Sequence, residues 1–213
     1  MTRTFFDLSL PIHDGAPSYP GDPRCVVTPF LTIPESIANT TTLSMGSHQG
    51  THLDAPFHFL ADGITVEQIP LEQTTGPAFL LDLGGRPDRS QLTVEEFAHL
   101  DLRPGDRLVY RMGWDRRLGQ PEYFTDMPRL SVPAAQWLAE RRLALVGLDA
   151  PTPNPDDAVA VHQALLGAGT VLREGLANLD RLRPGPFWLS AAPLRIVGSD
   201  GAPVRAFGSQ DAT

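Results

Sequence analysis

The segment from His48 to His58 constrains this chain more than any other part of its sequence. It holds three histidines and one aspartate around a glycine and a proline, and it contains half of the six histidines in the chain. Neutral imidazole and carboxylate groups are together the ligands that Zn²⁺, Mn²⁺ and similar divalent ions use in proteins. This density favours a metal site over a set of ordinary polar loop residues, so the fold is predicted to gather these side chains around an ion.

Neither regular secondary structure can gather the ligands of this segment. In a strand that rises about 3.3 Å per residue, His48 and His52 would lie about 13 Å apart, whereas two ligands of one ion place their donor atoms roughly 3 Å apart. A helix would bring these two histidines onto one face, but it would turn Asp54 about 200° away from His52. The chain must therefore curl. Gly50 supplies the conformational freedom for the curl, and Pro56 prevents a helix from continuing.

A second candidate pair is formed by His162 and Glu174, which are twelve residues apart. On one continuous helix they would be about 18 Å apart and could not share an ion. A predicted break at Gly167 and Gly169 would let the chain fold back and bring the two side chains to the open end of a hairpin. On spacing alone, the favoured interpretation is a histidine on the helix surface and a solvated carboxylate.

His58 has three possible roles when only the residues are considered. It could be a further ligand, a catalytic acid or base, or a hydrogen-bonded core group. Four aromatic residues are candidates to line a pocket, and among them only Tyr19 is favoured as a pocket residue over a core residue; the other three are Phe57, Phe59 and Trp114.

Composition and charge narrow the class of protein. At 213 residues, with 41% hydrophobic and 20% charged residues, the chain is expected to be globular, with residues 1–207 as one domain and 208–213 as a disordered tail. The net charge of −8 disfavours nucleic acid as a partner,. The single cysteine, Cys25, excludes an intrachain disulfide and a thiolate cluster,. Without a signal peptide at the N-terminus or an apolar run near about 18 residues, a cytoplasmic location away from membranes is expected.

The pattern of apolar residues and turn signals predicts a mixed α/β fold with about ten short strands and three or four helices. Helices are predicted to begin after Thr93, which starts a capping box and a helix to about His99, and after Ser131 and Asn154. The predicted strands are 4–9, 26–33, 40–45, 78–83, 106–112, 143–148, 170–173, 187–189 and 194–197. Hairpin-like runs and crossover helices both occur, so a purely parallel sheet is not expected.

The segment from His48 to His58 resembles the H-x-G-T-H-x-D-x-P-x-H motif of the cyclase family of metal-dependent hydrolases, which includes bacterial kynurenine formamidases (arylformamidases). This motif is highly specific, and supporting segments extend the resemblance over nearly the whole chain. Those segments are Phe6-Asp7-Leu8-Ser9, Tyr19-Pro20-Gly21-Asp22, Gly147-Leu148-Asp149-Ala150-Pro151-Thr152, His162 with Leu165-Leu166, and Glu174 with Asn178-Leu179.

The resemblance implies the family's swivelling β/β/α-type fold with a mixed sheet, a homodimer or larger assembly, and a site for up to two divalent ions, with Zn²⁺ favoured over Mn²⁺ or Fe²⁺. Asp54 would bridge the two ions, and His58 would transfer protons. The implied ligands are His48, His52 and Asp54 for one ion, and Asp54, His162 and Glu174 for the other.

The activity that the resemblance implies is metal-dependent amide hydrolysis, with conversion of N-formylkynurenine to kynurenine and formate as the first expectation. Alternatives are hydrolysis of another amide or ester, such as isatin or a lactone, and a non-catalytic metal-binding protein. Tyr19, implied to contact substrate, stands where the formamidases carry tryptophan. Residues 149–154 also depart from the formamidase pattern D-T-P-S-x-D. The metal chemistry is therefore indicated more strongly than the substrate.

Overall fold

A computed structural model describes residues 3–211, which form short strands and helices. The strands are β1 (Arg3–Asp7), β2 (Val26–Leu31), β3 (Thr40–Ser44), β4 (His52–Asp54), β5 (Thr75–Asp82), β6 (Gln91–Leu92), β7 (Arg107–Arg111), β8 (Arg129–Leu130), β9 (Leu145–Leu148), β10 (Val171–Glu174), β11 (Gly185–Ser190), β12 (Gly201–Pro203) and β13 (Phe207–Asp211). The α-helices are α1 (Leu71–Thr74), α2 (Val132–Glu140) and α3 (Ala158–Gly167). Single 3₁₀ turns span Pro56–His58, Val66–Gln68, Val94–Glu96, Trp114–Arg117, Pro121–Phe124 and Leu179–Arg181.

Nine of these strands form one mixed sheet, in the order β1-β13-β11-β5-β7-β9-β10-β4-β12. The four central strands, from β5 to β10 in this order, run parallel. Antiparallel strands extend the sheet on both sides. Two small sheets, β2–β3 and β6–β8, lie apart from it. The predicted mixed α/β fold is therefore confirmed.

The central strands are buried on both faces of the sheet. Alternate residues of a strand point to opposite faces, so Leu108 and Tyr110 of β7 enter the apolar cluster that includes residues of α2 and α3. Val109 between them enters a second apolar cluster on the other face. Because both faces are covered, these strands are nearly continuous apolar runs in the sequence, as parallel strands usually are. Among residues 3–211, no helix is both long and apolar enough to cross a membrane.

The predicted helix starts are confirmed in part. Ser131 caps α2, because its hydroxyl oxygen accepts a hydrogen bond from the amide of Ala134. Thr93 forms its capping box, but only one 3₁₀ turn follows instead of a helix to His99. The prediction for Asn154 is wrong: its side chain accepts from two amides of the following turn and donates to the carbonyl of Leu130. These bonds order the approach to α3, which itself begins at residue 158.

The C-terminal prediction is wrong for residues 208–211. They lie in β13, which pairs with β1 on one side and β11 on the other. Gly208 sits deep in this arrangement, since a Cβ atom there would lie 3.1 Å from the side chain of Leu8. Residues 212 and 213 of the predicted tail lie outside the described part of the chain. The strand predicted over 194–197 is also absent from the described residues, and the segment is an exposed loop.

Candidate metal centre

The His48–His58 motif reaches the sheet on β4, near the antiparallel end. His52 and Asp54 are two residues apart on this strand, so their side chains point to the same face. β10 runs antiparallel beside β4 and places Glu174 directly opposite His52. On the other side of β4, Gly201 of β12 lies opposite Asp54. Strand pairing therefore gathers residues that are far apart in the sequence.

The residues before β4 form a curl, as the sequence predicts. Gly50 has a φ of +64°, in the left-handed region that glycine adopts without strain,. The hydroxyl of Thr51 fastens the curl, because it donates to the carbonyl of Gly175 and accepts from the amide of Leu10. A Cβ atom at Gly175 would lie 2.5 Å from the carbonyl oxygen of Gly50. Because the two backbones approach so closely, the curl places the side chain of His48 beside the side chains of His52 and Asp54 on β4.

The first ligand cluster consists of His48, His52 and Asp54, whose potential ligand atoms lie within 4.8 Å of one another. Asp54 Oδ1 is 2.8 Å from His48 Nδ1 and 3.3 Å from His52 Nε2. These separations are close to the roughly 3 Å that metal–ligand bonds of about 2.0–2.2 Å require between neighbouring donors. The three side chains therefore present one oxygen and two nitrogens to a common point.

The second ligand cluster consists of Asp54, His162 and Glu174, all of them buried. His162 Nε2 is 3.2 Å from Glu174 Oε1 and 3.7 Å from Asp54 Oδ2. Asp54 Oδ2 is a buried oxygen without a hydrogen-bond partner among the described residues, which is costly unless a cation completes its surroundings. Since Oδ1 faces the first cluster and Oδ2 the second, the two clusters have the donor set and the shared carboxylate that a pair of divalent ions requires.

Backbone carbonyls orient two of the histidines. Nδ1 of His52 donates to the carbonyl of Gly50 at 2.9 Å, and Nδ1 of His162 donates to that of Ala158 at 2.6 Å. A carbonyl group can only accept, so the proton of each ring lies on Nδ1 and Nε2 faces the carboxylates. Outer hydrogen bonds of this kind orient the histidine ligands of metal sites and set their tautomer.

The position of His162 and Glu174 differs from the interpretation that spacing alone favours. His162 is 3% exposed and Glu174 is 4% exposed, so neither is a solvated surface group. The chain turns back after α3, where Gly169 has a φ of +82°. β10 then carries Glu174 to the level of His162. The helix break that the sequence predicts is thus the local cause of their meeting.

Carboxylates dominate the electrostatics of the clusters. Burial lowers the pKa of His48, but Asp54 and Asp200 outweigh burial and raise it to about 10. Burial also lowers the pKa of His52, and hydrogen bonds and charges of Asp54 and Glu174 raise it to about 9. Burial raises the pKa of Asp54, yet His48 and His52 hold it well below its usual range. Asp54 therefore stays ionised.

His58 lies beside the first cluster. Its ring stacks on that of His48, with centroids 3.9 Å apart and planes at 29°. Its Nδ1 is 3.4 Å from Oδ2 of Asp200, which is also 2.9 Å from His48 Nε2. His48, His58 and Asp200 form a further group whose potential ligand atoms lie within 4.8 Å. Sequence analysis does not identify Asp200, because Ser199-Asp200-Gly201 is an ordinary turn sequence without ligand spacing.

A cavity of about 410 Å³ opens onto the ligand clusters and His58. Its aromatic walls include Tyr19, Phe59 and Phe124. The rings of Tyr19 and Phe124 meet edge to face with centroids 5.5 Å apart, and the ring of Phe59 stacks on His162 at 4.2 Å. The cavity has the size and the apolar walls of a site for a small molecule that carries an aromatic group.

Two of the four aromatic pocket candidates lie elsewhere, and the core position favoured for one of them, Trp114, is confirmed. Trp114 is buried in the core, where its indole nitrogen donates to the carbonyl of Tyr123. Phe57 is exposed and does not line the cavity. Leu118 and Phe124, which do line it, come from the segment between β7 and β8. No pattern in that segment distinguishes these side chains from core residues.

The family model and the curated relatives that match this chain point to the same family. The family model named "Cyclase" matches residues 6–155. The kynurenine formamidase of Geobacillus thermodenitrificans is 32% identical over 210 residues, which cover 97% of this chain and 97% of that protein. The kynurenine formamidase of Bacillus cereus is 32% identical over 209 residues, which cover 96% of this chain and 97% of that protein.

Solved structures agree with these relatives. One that is described as a potential metal-dependent hydrolase with cyclase activity has a TM-score of 0.83 and 31% identity, and the match covers 100% of both chains. Isatin hydrolase A of Ralstonia solanacearum has a TM-score of 0.88 and 25% identity, and the match covers 98% of this chain and 92% of that one.

Proposed function

This chain belongs to the cyclase family, and on that premise we propose that it is a metal-dependent amide hydrolase, with N-formylkynurenine as the first candidate substrate. One observation carries the proposal: the buried Asp54 is shared between two ligand clusters that open onto an aromatic cavity. The relatives named kynurenine formamidase, which match almost the entire chain, support the choice of a formamide.

The proposed ligands are His48, His52 and Asp54 for one ion and Asp54, His162 and Glu174 for the other, with Zn²⁺ as the first candidate. The chemistry that bound divalent ions supply is activation of a water molecule and polarisation of a carbonyl oxygen. The protein's own groups then orient the substrate and move protons. Phe59, stacked on His162, shields the second cluster on the cavity side.

His58 is the proposed proton-transfer group. It is partly exposed to the cavity, its ring lies against His48, and its side chain belongs to neither of the two clusters that share Asp54. An imidazole can take a proton from the attacking water and return it to the leaving nitrogen. A storage or scaffold protein would not require such a group, so His58 argues against a non-catalytic metal-binding protein.

The first test combines metal content with turnover. Protein purified without chelator is expected to hold up to two divalent ions per chain, measured by elemental analysis and by reconstitution with Zn²⁺, Mn²⁺ or Fe²⁺. The reconstituted protein is then assayed with N-formylkynurenine, isatin and simple lactones, because the fold match with isatin hydrolase A makes cyclic amides the second candidate class. Persistent lack of bound metal would falsify the proposal. Turnover of isatin without turnover of N-formylkynurenine would make cyclic amides the substrate class.

Tyr19 is proposed to pack against the aromatic group of the substrate. Tyr19→Ala is expected to raise KM about 3- to 10-fold with a smaller change in kcat, since an aromatic pair contributes about 0.5–1.5 kcal/mol beyond area burial. Tyr19→Phe separates the ring from the hydroxyl, and Tyr19→Trp restores the formamidase residue. The measurement is steady-state kinetics on the preferred substrate. An unchanged KM in Tyr19→Ala would show that Tyr19 does not contact the substrate.

The proposed partner besides the substrate is a second copy of the chain. The β2–β3 hairpin stands apart from the main sheet and exposes Phe30, Ile33, Ile37 and Leu43. Exposed apolar side chains that are grouped on one hairpin are typical of a surface that contacts another protein, which supports a homodimer. A cytoplasmic location stays a prediction of the sequence.

A further inference from the structure

Backbone pairing places Asp200 next to the His48–His58 motif. Asp200 directly precedes β12, whose residues pair with β4. Its own carbonyl accepts a hydrogen bond of 2.8 Å from the amide of Ala55. The hydroxyl of Ser47 donates to its Oδ1 at 2.9 Å. Backbone contacts therefore fix the position of Asp200 and Ser47 holds its carboxylate, although Asp200 comes from a different part of the chain.

One oxygen of Asp200 faces both His48 and His58. Oδ2 lies 2.9 Å from His48 Nε2 and 3.4 Å from His58 Nδ1. An ionised carboxylate can only accept hydrogen bonds. His48 Nε2 therefore donates a hydrogen bond to Oδ2, while His58 Nδ1 is in a longer contact with the same oxygen. Each of the two rings presents this nitrogen to Asp200 and turns its other nitrogen away from it.

The other nitrogen of each ring is the one that the proposed chemistry uses. His48 Nδ1 lies 2.8 Å from Asp54 Oδ1, at the first ligand cluster. His58 lines the cavity, so its Nε2 is the nitrogen left for a proton of the reacting groups. Contacts between a carboxylate and the far nitrogen of a histidine ligand are a recurring means of orienting the ring and raising its basicity.

The backbone around Asp200 also confines the ring of His48. A Cβ atom at Gly201 would lie 2.8 Å from His48 Cε1 and 2.6 Å from the carbonyl oxygen of Leu53. The ring thus packs directly on the backbone that follows Asp200. Hydrogen bond and packing together leave His48 one orientation.

We propose that Asp200 is a positioning residue that orients both the metal ligand His48 and the proton-transfer group His58 through one carboxylate oxygen. The inference rests on the proposed function, because the roles of the two histidines belong to it. Asp200 belongs to neither of the two clusters that share Asp54: it would hold the ligand nitrogen of His48 towards the first cluster and the other nitrogen of His58 towards the cavity.

The test measures ring hydrogen bonding and metal affinity in Asp200→Ala, Asp200→Asn and the matched control Asp62→Asn, which removes an exposed carboxylate from the loop after the motif. Side-chain ¹⁵N–¹H NMR of the full chain is expected to show a strongly hydrogen-bonded Nε2–H proton of His48 in wild type and in the control. Asp200→Ala should lose that signal, with or without Zn²⁺. Competition with a chromogenic chelator should show Zn²⁺ bound roughly 10- to 100-fold more weakly in Asp200→Asn, the usual scale for such partners.

The outcomes separate this inference from the proposed function. If wild type binds no Zn²⁺, the metal-dependent function fails, but the Nε2–H signal of the metal-free chain still decides whether Asp200 holds His48. If wild type binds Zn²⁺ and the signal and affinity are unchanged in both Asp200 variants, the positioning role is overturned alone. A third outcome is that Asp200→Asn binds one ion fewer than wild type at saturating Zn²⁺, while the remaining ion binds with wild-type affinity. Asp200 would then be a ligand, and the positioning role would be overturned as well.

Discussion

Replacement of Asp54 by alanine is expected to remove both metal ions and to reduce hydrolysis to that of the chelated protein. The two oxygens of Asp54 face different clusters, so one substitution deletes a ligand from each. Without bound metal, the pKa of the attacking water returns from about 7 to its much higher ordinary value, and a loss of roughly 10⁴-fold or more in turnover is expected. Elemental analysis and turnover of the same preparation measure the effect.

Glu174→Ala is the comparison for this prediction. Glu174 contacts both His162 and His52, but it belongs to one ligand cluster, whereas Asp54 belongs to both. Its loss is expected to weaken mainly one ion. Far-ultraviolet circular dichroism and thermal unfolding of each variant identify any loss of metal that follows from unfolding. Full metal occupancy in a folded Asp54→Ala protein would contradict the bridging role.

Replacement of His58 by alanine is expected to leave the metal in place and to lower kcat roughly 10²- to 10⁴-fold, the range for removal of a general acid or base. The reason is geometric: His58 stacks on His48 but lies outside the two clusters that share Asp54. His99→Ala is the matched control, since His99 is exposed and far from the cavity lining.

Metal content and turnover must be measured on one sample of His58→Ala. If metal is lost in step with activity, His58 is a ligand, and its group with His48 and Asp200 becomes a metal site in its own right. If both metal and activity are retained, His58 is a structural residue held by Asp200. Only retained metal with reduced kcat supports proton transfer.

The part of the site that could be predicted from the sequence is the part whose geometry is local. The curl at Gly50 follows from the distances that His48, His52 and Asp54 must span, and all three side chains converge as expected. The break after α3 could also be predicted, because glycines at the end of a helical pattern stop it. That break is sufficient to bring Glu174 back to the level of His162.

The parts that could not be predicted depend on pairing between distant strands. Asp200 reaches His48 because β12 pairs with β4, and nothing in the residues around Asp200 specifies that partner. Residues 208–211 form β13 for the same reason: their polar, glycine-containing sequence has weak strand preference, and two neighbouring strands provide the hydrogen bonds,. Phe59 shows the remaining difficulty: an aromatic residue of the core and one of a pocket have the same sequence signature, so the sequence favours a core position for Phe59, although it lines the cavity.

The position of β4 between β10 and β12 determines when a growing chain can complete its metal centre. During synthesis the His48–His58 motif emerges early, whereas Glu174 and the Asp200 that holds His48 emerge much later. Small zinc domains fold around their ion because their ligands are close in sequence. Here the sheet must first bring its late strands to β4. We therefore expect the second of the two proposed ions to bind only after the sheet has formed, because a nascent or truncated chain would lack Glu174 and the contact of Asp200 with His48.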